Sequence, residues 1–216
     1  MIKVNYQKEL DRILAGLAAA ADPPRLLLHS CCGPCSSYVL EYLTQYFSTT
    51  VLFYNPNIQP EAEYQKRLEW QKRLLAALPT RYPVTLLACD WEGETFSSAV
   101  QGQTQEPEGG ARCTTCFTLR LTRTAELAKQ QGFDYFCTTL TVSPHKDAQR
   151  INRLGYEIGA RFGVAWLPSD FKKREGYKRS IQLSAEYGLY RQNYCGCLYS
   201  KPETEEKGLQ FAEKTV

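Results

Sequence analysis

The chain lacks any apolar run approaching the ~20 residues that span a bilayer, and its N-terminal segment mixes charged with apolar residues instead of forming a signal peptide. No membrane association is expected, and a cytoplasmic location with reduced thiols is. A strong charge of one sign is also missing. The 26 basic residues stand against 23 acidic ones, and the net +3 is too small to identify a polyanionic partner by itself. No glycine-rich phosphate loop opens the first strand-to-helix junction, where cysteines stand instead. Core material, by contrast, is not scarce. A chain of 216 residues with 43% hydrophobic content buries roughly 70% of its unfolded surface, so it needs neither metal nor disulfide merely to fold.

What the chain has is clustered cysteine. Seven of its nine cysteines fall into three tight groups: Cys31, Cys32 and Cys35; Cys113 and Cys116; Cys195 and Cys197. A lone free cysteine is usually a small buried hydrophobe, which is the expectation for Cys137 and Cys89. Clusters in a reducing compartment read first as metal ligands or redox thiols. The first group follows the apolar run Leu26-Leu27-Leu28, so a strand delivers it to the start of a helix, whose positive end favours thiolate.

Periodicity sets out the rest. Leu10, Ile13, Leu14 and Leu17 share one face of a helix over residues 5–20. Strands are expected at 25–30, 49–54, 83–88, 134–140 and 164–167. Helices are expected at 34–46, 61–78, 116–131, from an N-cap at Ser143 with Pro144 to Phe162, and at 174–187. Residues 101–112, rich in glycine and glutamine, read as a mobile loop, and the tail after Cys197 turns polar. The expectation is a single α/β domain over residues 1–216, a parallel sheet of about five strands with helices on both faces. Its site would lie at the carboxyl ends of the strands.

The residues alone leave the chemistry open. Cys32-Gly33-Pro34-Cys35 matches the thioredoxin tetrapeptide, but another cysteine precedes it and two further clusters would go unused. Paired cysteines suit tetrahedral zinc, although adjacent Cys31 and Cys32 fit zinc ribbons poorly. An iron–sulfur cluster takes thiolates from separated segments, yet the spacing is not that of a ferredoxin.

A family resemblance is carried by His29-Ser30-Cys31-Cys32-Gly33-Pro34-Cys35-Ser36, by Glu108 to Phe117 (EGGARCTTCF) and by Thr138 to Asp147 (TTLTVSPHKD). Asp170-Phe171-Lys172-Lys173 and Leu189 to Cys197 (LYRQNYCGC) complete it. In these motifs the chain resembles the QueH-type epoxyqueuosine reductases. The resemblance implies a cobalamin-independent oxidoreductase of queuosine biosynthesis acting on tRNA, on a fold similar to the adenine-nucleotide α-hydrolase superfamily. It implies a [4Fe-4S] cluster on Cys31, Cys32, Cys113 and Cys116, and a redox-active pair of Cys195 and Cys197. An additional iron is implied as well, with Cys35, or one thiolate of the adjacent Cys31–Cys32 pair, in reach as its ligand. The electron donor is not identified. The alternative is an ATP-dependent tRNA-modifying, thiolating enzyme on the related fold.

Removing an epoxide oxygen takes two electrons and two protons. A dithiol stores two electrons beside a one-electron relay, and an iron acts as Lewis acid on the oxygen. His145 and Asp147 are the expected proton donors, set against an exposed histidine and a capping aspartate as the plainer reading. Arg120, Arg123, Lys172, Lys173, Arg174, Lys178 and Arg179 are the expected tRNA contacts, although a charge run is commonly a solvated face.

Overall fold

The computed structural model of the chain describes residues 3–17 and 22–200. Its centre is a five-stranded parallel sheet of β1 (Arg25–His29), β2 (Ser48–Phe53), β3 (Val84–Ala88), β4 (Tyr135–Thr138) and β5 (Ala165–Trp166). The strand order is β3-β2-β1-β4-β5. β1 is central because its interior carries nothing polar: between the exposed Arg25 at its start and His29 at its end, Leu26, Leu27 and Leu28 are all fully buried.

Alternation along β1 divides the core in two. Leu26 and Leu28 pack on one face with residues of α1 (Tyr6–Leu17), α2 (Gly33–Leu43) and α3 (Glu61–Ala77). Leu27 packs on the other face with Phe117, Leu121 and Ala125 of α5 (Ala111–Gln130) and Ile151 and Ile158 of α6 (Ala148–Phe162). Helices therefore cover both faces, as the sequence leads one to expect. A short helix, α4 (Gly93–Ala99), precedes α5, and α7 (Gly176–Glu186) packs on α2.

The crossovers run outward from β1 through β2 to β3, then return to its other side for β4 and β5. The strand order thus reverses between β1 and β4, and in such sheets a crevice opens beyond the carboxyl ends of those two strands.

Several boundaries differ from the expected ones. α5 begins five residues before Cys116, so Cys113 and Cys116 occupy its first two turns. β4 stops at Thr138 and passes into a 3-10 turn, Thr139–Val142. α6 is capped by Asp147, not by Ser143; the Asp147 carboxylate accepts from the backbone N–H groups of Gln149 (2.9 Å) and Arg150 (3.2 Å). The end of the first helix and the polar tail beyond Ser200 lie outside the described residues.

Candidate metal and thiol site

His29 closes β1 and ties three strand ends together. Its Nε2 lies 3.1 Å from the Tyr54 carbonyl and its Nδ1 2.8 Å from the Thr138 hydroxyl. A carbonyl only accepts, so Nε2 carries the proton and Nδ1 accepts from Thr138. Burial, reinforced by the charge of Arg120, lowers the His29 pKa to about 3, which keeps the ring neutral. Its work is to fix the strand ends from which Cys31 leaves.

Cys32 is the extended residue before α2, and Pro34 lies in that helix's first turn. The carbonyl of Cys32 accepts the first helical bond, from the Ser36 N–H at 3.1 Å. A Cβ on Gly33 would come within 3.2 Å of the Trp70 carbonyl oxygen, so the glycine lets α2 approach α3. This tight start gathers the sulfurs of Cys31, Cys32 and Cys35 within 4.8 Å of one another. Cys31 and Cys32 are 3.9 Å apart. A tetrahedral ion with 2.3 Å metal–sulfur bonds sets its ligands ~3.8 Å apart, so three thiolates at this spacing suit one ion. Cys32 is held well below the usual thiol range by the Cys31 and Cys35 thiols that face it, with Arg67 and a Gln192 side-chain N–H at 3.1 Å adding to the effect. Cys35 moves the opposite way, since its thiol faces both of those sulfurs.

The other four clustered cysteines meet separately. Cys113, Cys116, Cys195 and Cys197 line one gap of about 10 Å³ together with Arg120 and Lys146. Cys113 Sγ accepts from the Gly109 N–H at 3.2 Å, and burial pushes the Cys116 thiol up to about 12. The four cysteines expected as cluster ligands therefore divide: Cys31 and Cys32 sit with Cys35, while Cys113 and Cys116 sit with Cys195 and Cys197.

Between the two groups stands Arg120, 1% exposed. Burial opposes its charge, but Cys116, Cys195, Cys31 and Cys113 outweigh that and raise its pKa. Arg67 on α3, also 1% exposed, plays the same part toward Cys32. Each guanidinium keeps an Nη2 that is buried with no hydrogen-bond partner among the described residues. Neither role is legible in the sequence, where both arginines look like surface residues of amphipathic helices.

Beside the thiols lies a cavity of about 380 Å³. Cys31, Cys35 and Cys195 line it from the sulfur side, and His145, Lys146, Arg191 and Tyr194 are among its other walls. Of the two expected proton donors, His145 is exposed at the cavity wall, while the Asp147 carboxylate is engaged as the α6 cap. Lys146, between them, was not singled out by sequence reasoning, and it is the residue turned inward. Tyr190 faces Glu63 and Lys66, and Tyr194 lies under Arg67, so both hold the C-terminal motif to α3.

The expected tRNA contacts are largely spoken for. Arg123 pairs with Glu126, Lys172 with Asp170, Arg174 with Asp11, Lys178 with Glu175 and Arg179 with Glu41. Arg120 is interior, and Lys173 is exposed without an ion pair among the described residues. Residues 101–112 are held by Arg112 to the Thr104 carbonyl (3.0 Å) and by Arg150 to the Gly109 carbonyl (2.5 Å). Cys137 is fully buried in the core, and Cys89 packs against the second core cluster. No helix among the described residues is long and apolar enough to cross a membrane.

Comparison with known proteins gives one family. Residues 26–203 match the family described as "Epoxyqueuosine reductase QueH". Proteins of that name from Staphylococcus epidermidis and Streptococcus pyogenes are 41% and 42% identical over 98% and 92% of this chain and 89% and 78% of their own. The one from Thermotoga maritima is 36% identical over 88% of this chain and 96% of its own. Among solved structures, an NMN synthetase from Francisella tularensis is similar over 87% of each chain, with a TM-score of 0.38 and 13% identity.

Proposed function

This chain belongs to the epoxyqueuosine reductase QueH family of oxidoreductases, and on that premise we propose that it removes the epoxide oxygen of epoxyqueuosine in tRNA, in the cytoplasm, using an iron–sulfur cluster. The observation that carries the reading is that two thiol groups, Cys31, Cys32 and Cys35 on one side and Cys113, Cys116, Cys195 and Cys197 on the other, stand on either side of the buried Arg120 next to one cavity, beyond the β1/β4 reversal.

The donor set fits the group. Thiolates are soft ligands that select iron–sulfur clusters, and the two groups supply more sulfur than four ligand positions need. A buried arginine without an acceptor is costly. The orphaned Nη2 groups of Arg67 and Arg120 suit an anionic cluster carrying sulfide acceptors. In this reading Cys31, Cys32, Cys113 and Cys116 hold a [4Fe-4S] cluster and Cys35 an adjacent iron. When bound, these groups would supply electrons singly and a Lewis acid for the oxygen.

The remaining chemistry belongs to the chain itself. Cys195 and Cys197 hold two electrons as a dithiol, and the cavity receives the cyclic part of the modified nucleoside. His145 lies at the rim, where solvent protons enter. The test is anaerobic reconstitution with iron and sulfide, followed by incubation with tRNA carrying epoxyqueuosine, a reductant, and mass analysis of the nucleosides. Queuosine should appear in step with iron bound. A protein that binds iron and sulfide but converts no epoxyqueuosine would sink the proposal.

A further inference from the structure

We propose that Cys195 is a nucleophile that bonds to an epoxide carbon, and that Lys146, anchored by Glu108, protonates the oxygen as the ring opens. The inference rests on the epoxyqueuosine reading and adds a covalent intermediate and an acid to it.

Lys146 is 10% exposed at its side chain, and its Nζ donates to Glu108 Oε1 at 2.9 Å and to Cys195 Sγ at 3.3 Å. All three residues line the cavity. A sulfur nucleophile and an ammonium in contact at a cavity wall are the two groups that a three-membered cyclic ether needs, one for carbon and one for oxygen. Burial works against the charge on Lys146, but Cys195, Glu108 and Cys113 outweigh it and raise the pKa, so the ammonium persists until an alkoxide forms beside it. Cys195 is also the one cysteine that lines both the cavity and the gap holding Cys197, Cys113 and Cys116. It thus faces the cavity on one side and the gap holding Cys197 on the other.

The two steps balance. In the first, the Cys195 sulfur bonds to one ring carbon, the C–O bond at that carbon breaks, the oxygen left on the neighbouring carbon takes a proton from Lys146, and the proton of the Cys195 thiol restores the Lys146 ammonium 3.3 Å away. The product is a β-hydroxy thioether, with no net oxidation or reduction of the pair. In the second, the Cys197 sulfur attacks the Cys195 sulfur. An S–S bond forms, the C–S pair becomes the second bond of the alkene, and hydroxide leaves and takes up the proton released from the Cys197 thiol to become water. The sum is epoxide plus two thiols giving alkene, disulfide and water. The substrate is reduced by two electrons and the dithiol is oxidised by two; an external one- or two-electron reductant restores the dithiol, and a cluster held by Cys31, Cys32, Cys113 and Cys116 would pass such electrons singly. Back-side opening leaves sulfur and hydroxyl on opposite faces of the ring, the relation that the elimination requires.

The experiment is capture of the thioether. Cys197→Ser protein is incubated with an anticodon stem-loop RNA carrying epoxyqueuosine, nuclease and protease digested, and analysed by mass spectrometry. The expected result is the Cys195 peptide bearing the whole modified nucleoside with its oxygen retained. Lys146→Met in the same background should slow adduct formation ~10²-fold or more, with Lys146→Arg recovering part of the rate. Should Cys197→Ser fold poorly by circular dichroism, Cys197→Ala replaces it. An adduct on another cysteine overturns the proposal, as does its absence from a variant that binds the RNA while the wild type converts it. If the wild type converts no epoxyqueuosine, the function itself falls, and the two failures are thereby told apart.

Discussion

Arg67 and Cys195 are 128 positions apart in the chain, yet Arg67 Nη1 donates to the Cys195 carbonyl at 3.1 Å. The same guanidinium is held by Glu63 at 2.7 Å and lies over the Tyr194 ring at 5.2 Å. A Cβ on Gly196, whose φ is +116°, would come within 3.0 Å of that Nη1, so only glycine lets the chain turn so close to the arginine. α3 therefore aims the C-terminal cysteines.

Replacing Arg67 by Met leaves the Cys195 carbonyl without its donor and the half-buried Glu63 carboxylate with only the longer Tyr190 hydroxyl contacts. Loss of one partner from a buried pair costs about 3 kcal/mol. Urea unfolding should show that loss, and limited proteolysis should cut the 189–197 segment sooner than in the wild type. Unchanged stability would mean that the clamp contributes nothing.

The cysteines should separate by role. Cys113→Ser or Cys116→Ser should lose visible absorbance and turnover together after iron and sulfide reconstitution. Cys195→Ser or Cys197→Ser should keep the absorbance and lose turnover. Full absorbance in the first pair, or none in the second, reverses the assignment.

Cys137 makes an alkaline prediction. Burial raises its thiol to about 12, whereas the unfolded thiol ionises near 9. Above that lower value the unfolded state releases a proton that the folded state keeps. The stability contribution is thus complete below pH 9 and is lost as pH climbs toward 12, at up to ~1.4 kcal/mol per pH unit. Cys137→Ala should flatten this part of the unfolding-midpoint curve against pH. An unaltered slope would assign the alkaline loss to other groups.

If the basic segment of residues 172–179 holds tRNA, log affinity should fall linearly with log salt. Four of its cations are already paired with the chain's own acids, so Lys173→Ala should cost more affinity than Lys178→Ala. A flat salt response would remove the segment from the interface.

The architecture was largely legible in the sequence because burial on two faces leaves a mark that needs no partner: three consecutive leucines before His29 announce a central strand. The cysteine clusters were legible for a similar reason, being local in the chain. Boundaries were less so. Ser143-Pro144 imitates a helix start; a capping aspartate is the plainer reading of Asp147, and the structure bears it out, the Asp147 carboxylate accepting the free N–H groups of α6. The site's charged parts were hidden altogether. Arg67, Arg120 and Lys146 carry nothing local to distinguish them from surface cations; each turns inward because distant segments bring thiols or a carboxylate to meet it.

Sequence by itself determined that a parallel sheet forms and that thiols leave its central strand, since hydrophobic period and residue type are properties of neighbours in the chain. Tertiary structure alone decided how those thiols group, Cys35 with Cys31 and Cys32, Cys195 and Cys197 with Cys113 and Cys116. That choice depends on where the crossovers return β4 beside β1, a relation between segments more than a hundred residues apart.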